Sequence, residues 1–265
     1  MTEPTRRNKL NEKQLRTLEI LYRFRFVTTD LLSRLQTGKS KTSVYSRLRI
    51  LADQGYIGRD YDGKRQIRGE YATYYLLRPG INALKKHMGD KFSAKAEKNL
   101  ARDANASEQF RAHCLRLLRF YCDLTDNYPD ADFYTRNELM AEQYNYFPKP
   151  LPDAYVTTDT AHFFVDVFDS TSFFFKLTRR VKTYVAYHDS KDWDATRTNF
   201  PAVLLICASP ADQKRLQNKL PFMAKNTNFY TIVANDLEAV SKDAPIFTSV
   251  NGQVSLADIM VSAQI

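Results

Sequence analysis

Residues 39–54, which read KSKTSVYSRLRILADQ, decide the fold of the first part of the chain. Apolar residues recur there at helical spacing and predict a face that packs on a core: Val44, Leu48 and Leu51. Polar residues recur at the same spacing about half a turn away and predict one exposed stripe: Thr42, Tyr45, Ser46 and Arg49. The stretch therefore predicts an amphipathic helix with two opposed faces.

The four residues of this stripe supply hydrogen-bonding and cationic groups and no acid. A helix of this kind that follows another short helix can lie in the major groove of DNA and read base edges. A solvated polar face explains the pattern of this one helix equally well. The neighbouring segments therefore have to decide between the two interpretations.

The amphipathic helix within residues 39–54 is called the stripe helix below. The segments before it predict two more helices. Asn11 is a suitable cap for a helix over Leu15, Leu18, Leu21 and Tyr22. Residues 26–35, FVTTDLLSRL, offer Thr28 or Thr29 as the cap of a short second helix. Gly38 separates that helix from the stripe helix, and Gly55 can close the stripe helix in a left-handed turn.

The segments after the stripe helix predict a β-hairpin. Residues 56–61 and 71–77 are β-prone, and the loop between them is polar and basic. Three helices followed by such a hairpin predict a winged helix-turn-helix that binds double-stranded DNA. The predicted DNA-binding residues are those of the stripe helix and of the hairpin loop: Lys39, Lys41, Thr42, Tyr45, Ser46, Arg49, Lys64, Arg65 and Arg68.

The distribution of charge supports a polyanionic partner. The whole chain has 39 Lys and Arg against 30 Asp and Glu. Residues 1–100 hold 22 of these cations and 10 of the acids, which leaves 17 against 20 for the rest of the chain. Cations concentrated on a small helical domain favour a phosphate backbone, because binding releases its counterions.

Length and composition exclude several classes of protein. No apolar run approaches a membrane span, and the first residues lack the apolar region of a signal peptide. Three cysteines without metal-ligand spacing indicate reduced thiols and a cytoplasmic protein, associated with the nucleoid or a plasmid. The 265 residues suit two domains, predicted as a winged helix at 1–88, a linker at 89–105 that becomes helical towards its end, and a second domain at 106–265.

The second domain has a characteristic order of predicted elements. A helix over 107–124 precedes strands at 131–134, 154–157 and 162–169, and a helix begins at Ser170 or Thr171. A buried strand at 202–207, a helix at 211–220 and a strand at 228–233 follow. The order of helix, three strands, helix and strand is the core of the PD-(D/E)xK nuclease-like fold. The predicted fold class is therefore α/β (α+β), with a mixed sheet in this domain.

Two acids lie at positions where a nuclease of this fold would need metal ligands. Asp153 follows Pro152 at the start of one predicted strand, and Asp166 lies inside the next. Two carboxylates on paired strands can hold Mg²⁺ or Mn²⁺, which would activate a water against a phosphodiester. The lysine expected two residues after the second acid is replaced by Phe168. Lys176 on the following helix is the candidate substitute, with Lys182 as an alternative, and Glu108 or Glu138 could add a ligand.

Structural interpretations of the same residues stay open. A Pro-Asp pair is common at turns, whereas a carboxylate among Phe and Val needs a partner, a metal or water. The basic run that contains Lys176, Arg179, Arg180 and Lys182 is more typical of a solvated helix face. Tyr184 and Tyr187 fit packing residues, with a tyrosine nucleophile as the alternative.

Several short motifs, in this order, resemble the replication-relaxation family of mobile elements. They are LNEKQL at 10–15, FVTTDLL at 26–32, HCL at 113–115, RNEL at 136–139, PDA at 152–154, FFVD at 163–166, KL at 176–177 with Tyr184 and Tyr187, and FPAVLLI at 200–206. The resemblance implies a winged helix joined to a nuclease-like domain, and some similar proteins are plasmid relaxases. Asp166 stands where a glutamate is usual in the family, and Phe168 where a polar residue is usual.

The sequence is compatible with three functions. The first is a sequence-specific double-stranded DNA-binding protein of a plasmid, phage or other mobile element, which acts in replication, mobilisation or transcriptional control and has a degenerate nuclease-like domain. The second is an active metal-dependent nickase with Asp153, Asp166 and Lys176 as catalytic residues. The third is a protein- or RNA-interaction module. A homodimer is possible in each case, because winged helices often bind paired half-sites.

Overall fold

The computed structural model describes residues 9–36, 40–61, 69, 71–159, 161–169, 174–224, 226–241 and 243–262. The chain divides into two compact units, Met1–Leu118 and Arg119–Ile265. The fold is mixed α+β, with a three-stranded sheet in the first unit and a seven-stranded sheet in the second. The predicted fold class is thereby confirmed.

The described residues of the first unit form a small antiparallel sheet and several helices. In chain order they are α1 (Glu12–Phe24), β1 (Phe26–Thr28), α2 (Thr29–Arg34), α3 (Lys41–Asp53), β2 (Ile57–Asp60), β3 (Thr73–Leu76), α4 (Arg78–Met88) and α5 (Ala94–Leu100). The strand order is β1-β3-β2, and both pairings are antiparallel.

Helix α1 starts at the predicted cap. The Asn11 side chain accepts from the Gln14 backbone N–H at 3.0 Å, and the Gln14 side chain accepts from the Asn11 N–H at 2.9 Å. This reciprocal capping box satisfies two of the free N–H groups at the start of the helix. The helix ends at Arg25, which has a φ of 68°.

The second helix begins at Thr29, directly after one of its two predicted caps. Thr28 caps α2 by accepting from the Leu31 N–H at 3.3 Å, which confirms one of the two predicted caps. Phe26–Thr28 form the short strand β1, which the sequence did not predict. The β-branched Val27 and Thr28 pair there with Tyr74 and Thr73 on β3, and tertiary pairing decides their conformation. Gly38 lies outside the described residues.

The segment predicted as a linker contains defined structure. Two 3₁₀ turns, Gly89–Lys91 and Asp103–Asn105, flank helix α5. Arg25 donates from Nε to Asp103 at 3.0 Å and from Nη2 to the Asn99 carbonyl at 3.0 Å. The buried Asp103 side chain thus ties this segment to the end of α1. The predicted domain limits stay a prediction.

The second unit is built around its sheet. Helix α6 (Glu108–Asn127) contains the division between the units and is followed by β4 (Asp132–Thr135), β5 (Ala154–Thr157), β6 (His162–Val167), α7 (Phe174–Ser190), β7 (Ala202–Cys207), α8 (Pro210–Gln217), α9 (Leu220–Met223), β8 (Phe229–Val233), β9 (Phe247–Ser249), β10 (Gly252–Val254) and α10 (Leu256–Ser262). The strand order is β10-β9-β8-β7-β6-β5-β4.

The centre of this sheet is parallel and its two sides are antiparallel. Strands β6, β7 and β8 pair in parallel, whereas β4-β5-β6 and β8-β9-β10 pair antiparallel. Strands β5 and β7 have the predicted limits, and β4, β6 and β8 differ from theirs by one or two residues. Strands β9 and β10 and helix α10 were not predicted. Every residue of β6, β7 and β8 is buried, so these strands form the middle layer of the unit.

Candidate nucleic-acid interface and carboxylate site

Helix α3 has the two faces that its sequence predicts. Ser40 caps it by accepting from the Ser43 N–H at 3.3 Å. Val44, Leu48 and Leu51 are completely buried. The four stripe residues Thr42, Tyr45, Ser46 and Arg49 are all exposed, as is Lys41 on the first turn. Helical periodicity is therefore confirmed as the feature that separates the core face from the polar face.

One cation of α3 belongs to the core and not to the stripe. Arg47 is 8% exposed and donates from Nη1 to Gln36 at 2.6 Å and to Thr17 at 3.1 Å. Burial lowers the pKa of its guanidinium. Arg47 thus joins α3 to α1 and to the end of α2. Its spacing from Val44 and Leu51 places it on the core side of the helix, but the sequence does not show which partners it finds there.

Lys41, one of the predicted DNA-binding residues, has an acidic partner. Lys41 Nζ lies 2.5 Å from Asp30 Oδ1 on α2, and this carboxylate raises the pKa of Lys41. A phosphate would have to compete with Asp30 for this ammonium group. Lys39, Lys64, Arg65 and Arg68 lie outside the described residues.

The hairpin adds an exposed cation that sequence analysis did not single out. Arg59 on β2 is exposed, and its guanidinium carbon lies 4.8 Å from the ring centroid of Tyr61. On the same strand, Gly58 lies under the Tyr75 ring of β3, and an added Cβ would approach that ring to 2.3 Å. Arg59 stands within the β-prone run 56–61. That position could have indicated a cation on a strand of the hairpin.

The structure brings the two predicted acids together. Ala154 pairs with Val165 across β5 and β6, so Asp153 and Asp166 are neighbours at the start of β5 and inside β6. The Asp153 N–H donates to Asp166 Oδ1 at 3.3 Å, and the Val167 N–H donates to Asp153 Oδ2 at 2.9 Å. The two carboxylates are 5% and 4% exposed as residues.

Two arginines neutralise this carboxylate pair. Arg136 Nη2 lies 2.8 Å from Asp153 Oδ1, and Arg180 Nε donates to Asp166 Oδ2 at 2.6 Å. The Tyr184 hydroxyl also donates to Asp166 Oδ2 at 2.6 Å. Burial lowers the pKa of the Arg180 guanidinium, but Asp166, Tyr184 and Asp153 together outweigh it, and the net shift is upward. The cluster therefore holds two acids and two cations.

The carboxylate oxygens already have hydrogen-bond partners, with which Mg²⁺ or Mn²⁺ would have to compete. Each of the four oxygens already accepts from an N–H or O–H group of Arg136, Asp153, Val167, Arg180 or Tyr184. Among the described residues, no group of three or more His, Cys, Asp or Glu side chains is placed to hold a metal ion. A divalent ion would have to compete with the guanidinium groups at Asp153 Oδ1 and Asp166 Oδ2.

The other candidate residues of this site are exposed or have hydrogen-bond partners of their own. Lys176 and Lys182 are exposed on α7, whereas Arg180 between them is buried against Asp166, so the expectation of a solvated face is wrong for Arg180. Glu138 accepts from the backbone and hydroxyl of Thr135, at 2.8 and 2.9 Å, and so ends β4.

The two tyrosines of α7 are core residues. Tyr184 is completely buried, and its pKa lies well above the usual range because of burial and Asp166. Tyr187 donates its hydroxyl proton to the Tyr146 carbonyl. A neutral, hydrogen-bonded phenol inside the core fits the packing interpretation of both residues.

The comparisons with known proteins give one match. The family model described as Replication-relaxation matches residues 18–203, which is more than half of the chain. The chain belongs to the replication-relaxation family. No curated protein and no solved structure matches. The replication-relaxation match begins within α1 and ends within β7, so it includes both the α3 stripe and the carboxylate pair.

Membership of the replication-relaxation family suggests a role in the replication or mobilisation of mobile elements, and with it an interaction with DNA. None of the helices in the described part of the chain is both long and apolar enough to span a bilayer.

Proposed function

We propose that the first unit is a winged helix-turn-helix that binds double-stranded DNA in a sequence-specific manner. The protein would act in replication, mobilisation or transcriptional control of a plasmid, phage or other mobile element. The observation that carries this proposal is the α3 stripe, on which Thr42, Tyr45, Ser46 and Arg49 are exposed while the opposite face is buried.

In this proposal α3 lies in the major groove. The Arg49 guanidinium is suited to a bidentate contact with a guanine edge, and Ser46 and Thr42 can accept from or donate to other bases. The methyl group of Thr42 and the ring of Tyr45 can contact a thymine methyl. These contacts would provide the sequence preference, because phosphate contacts carry no direct base information.

Phosphate contacts would come from the ends of this face. Lys41 lies at the start of α3 and Arg59 on the hairpin, and both are exposed. Lys39, Lys64, Arg65 and Arg68 are proposed to contribute in the same way from segments outside the described residues. The excess of cations in residues 1–100 supports this arrangement, since neutralised phosphates release counterions.

For the second unit we propose a nuclease-like core that no longer cuts DNA. The order of α6, the meander β4-β5-β6, α7 and the parallel strand β7 supports the nuclease-like assignment. The guanidinium groups of Arg136 and Arg180 neutralise the carboxylate pair and would compete with a metal ion for one oxygen of each acid. This unit would serve as a scaffold for dimerisation or for DNA contact.

A metal-dependent nickase is the second candidate, because Asp153 and Asp166 are adjacent on paired strands. In that case Mg²⁺ or Mn²⁺ would supply the charge that polarises the phosphodiester, and Lys176 would be the third catalytic residue. The ion would have to compete with Arg136 and Arg180 for these carboxylates. A protein- or RNA-interaction module is the remaining alternative. We propose a cytoplasmic location at nucleoid or plasmid DNA with the first function.

The deciding experiment measures duplex binding and its sequence dependence. Restriction fragments of DNA from the protein's own genetic neighbourhood are incubated with the purified full chain, and retarded fragments are footprinted. The Lys41→Ala/Arg49→Ala variant is expected to lose the footprint. The Arg16→Ala variant is the matched control, because it removes an exposed cation of α1 away from the stripe. Equal retention of RNA and unrelated DNA would contradict the proposal.

A further inference from the structure

A groove with aromatic walls lies between α3 and the hairpin. Its volume is about 370 Å³, and its walls include Lys41, Tyr45, Arg59, Tyr61, Tyr71 and Tyr74. Small-molecule sites range from roughly 300 to 1,000 Å³. The groove is therefore at the lower end of that range, which suits a single planar ring system better than a duplex.

Three of the four tyrosines expose much of their rings to solvent. Tyr45 is 42%, Tyr61 39% and Tyr71 52% exposed, whereas Tyr74 is 1% exposed and forms the floor. Exposed aromatic rings that converge on one groove form a contiguous apolar patch, which is a mark of a binding site on a protein surface. Flat faces of this kind are suited to stacking against another ring.

The cations of the groove lie beside these rings. Arg59 is placed over Tyr61 at 4.8 Å, and Lys41 Nζ lies 5.9 Å from the Tyr71 ring centroid. Lys41 is paired with Asp30, so Arg59 carries the positive charge that is more readily available to a ligand. No acidic side chain is among the described residues that line the groove. The groove thus combines stacking surfaces with positive charge.

We propose that this groove binds an unpaired nucleobase of DNA. The base would stack on Tyr71 and Tyr61, and its phosphate would contact Arg59. Stacking on aromatic side chains next to basic groups is the general way in which proteins hold unpaired bases. The inference rests on the proposed function, because Tyr45 belongs both to the α3 stripe and to the groove. The face that reads a duplex would therefore also capture a nucleotide that has left the duplex.

The test compares a paired duplex with a bulged duplex of the same sequence, and adds a single strand and an RNA. The full chain is titrated by fluorescence anisotropy with a duplex from the footprinted region, with the same duplex carrying one bulged 2-aminopurine, with labelled oligodeoxythymidylate and with the matched RNA. One stacked base is expected to raise affinity for the bulged duplex by roughly 5- to 100-fold. Quenching of 2-aminopurine fluorescence on binding is the second readout, since stacking on an aromatic ring would cause it.

Variants separate this site from the duplex contacts. Tyr71→Ala and Tyr61→Ala remove exposed rings, so folding should be preserved, and each is expected to lose the preference for the bulged duplex while it keeps duplex affinity. Tyr71→Phe is expected to retain the preference, because it keeps the ring. Equal affinity for paired and bulged duplexes, an unchanged preference in Tyr71→Ala, or tighter binding of RNA would overturn the inference.

The proposed function and this inference fail in different ways. A footprint that depends on Arg49 without any preference for the unpaired base overturns the inference alone. Tyr71-dependent binding of oligodeoxythymidylate without duplex binding supports the groove and overturns the proposed duplex function. Binding to none of these DNA probes overturns both.

Discussion

Arg180 on α7 and Asp166 on β6 form a buried ion pair, with Nε and Oδ2 2.6 Å apart and side chains 8% and 5% exposed. The Tyr184 hydroxyl donates to the same carboxylate oxygen and accepts from Arg180 Nη2. Two side chains of α7 therefore bind Asp166 on β6. A buried pair of this kind has a large desolvation cost, which its mutual attraction and hydrogen bonds must offset.

Arg180→Met is expected to destabilise the second unit by about 3–5 kcal/mol, because it leaves the Asp166 carboxylate buried without its cation. Trp193 is the only tryptophan and is buried in this unit, so its fluorescence during urea unfolding reports the loss. Arg179→Met is the control at the exposed neighbouring position. The double variant Arg180→Met/Asp166→Asn is expected to recover much of the stability. A strictly additive double variant would contradict the pairing.

Asp153→Ala decides whether the carboxylate pair has catalytic activity. Supercoiled plasmid from the protein's genetic neighbourhood is incubated with the full chain and Mn²⁺ or EDTA. The expected result is retarded, uncut DNA, since guanidinium groups already occupy the carboxylates. Open circles that require Mn²⁺ and disappear in Asp153→Ala would instead establish the nickase. Lys176→Ala would then show whether the exposed lysine takes part.

Arg49→Ala is expected to weaken binding to the preferred duplex by about 1–3 kcal/mol and to relax its sequence preference. Lys41→Ala should have a smaller effect on affinity and leave the sequence preference unchanged, because Asp30 already engages its ammonium group. Anisotropy titrations with the preferred and a scrambled duplex distinguish the two effects. A larger loss in Lys41→Ala than in Arg49→Ala would refute this assignment of roles.

Gly80→Ala is expected to destabilise the first unit by about 1–3 kcal/mol, as overpacked sites do. A Cβ at position 80 would lie 2.3 Å from the backbone oxygen of Tyr56, which cannot move aside as a side chain can. That oxygen also accepts from the Leu77 N–H at 3.0 Å, at the start of α4. Hydrogen exchange of α4 amides measures the loss. Asn82→Ala, at an exposed position of the same helix, should be close to neutral.

The buried Asp103 carboxyl group is expected to make the free energy of unfolding of the first unit depend on pH. Burial raises the pKa of its carboxyl group to about 6, although Arg25 opposes the shift, whereas an unfolded aspartate has a pKa of about 3.9. Between these values the folded chain binds a proton that the unfolded chain has released. The contribution of Asp103 to the free energy of unfolding therefore falls as pH rises from about 4 to 6.

The measurement for Asp103 is the difference between wild type and Asp103→Asn, because other carboxylates also titrate in this interval. Amide exchange in α5 at several pH values reports the local free energy of opening. The wild-type stability is expected to decline relative to the variant over that interval. A difference that does not change with pH would show that the carboxyl group keeps its ordinary pKa.

Regular patterns in the sequence predicted the parts of this structure that depend on local spacing. The alternation of apolar and polar residues identified both faces of α3, and the continuous apolar run at 202–207 identified β7, because burial imposes these periods. The adjacency of Asp153 and Asp166 followed from two strands joined by a short turn. These features depend on neighbours within a few residues.

Features that depend on distant partners were not predictable in the same way. Arg180 and Arg47 lie at helical spacing from the apolar residues of their helices, but their burial depends on the distant partners Asp166 and Gln36. The groove required Tyr61 and Tyr71 to meet Tyr45, which sequence order separates. Strands β9 and β10 have three residues each, too few for a clear period.

The ion pair between Lys41 and Asp30 has a consequence for how DNA binding depends on salt. A cation that binds a phosphate contributes to the slope of affinity against salt concentration through the counterion it displaces. Lys41 gives up a carboxylate when it takes a phosphate, and Asp30 then gathers a cation from solution. A salt titration would therefore indicate fewer phosphate contacts than there are basic side chains at the DNA-binding surface. Asp30→Asn would make the dependence of affinity on salt concentration steeper.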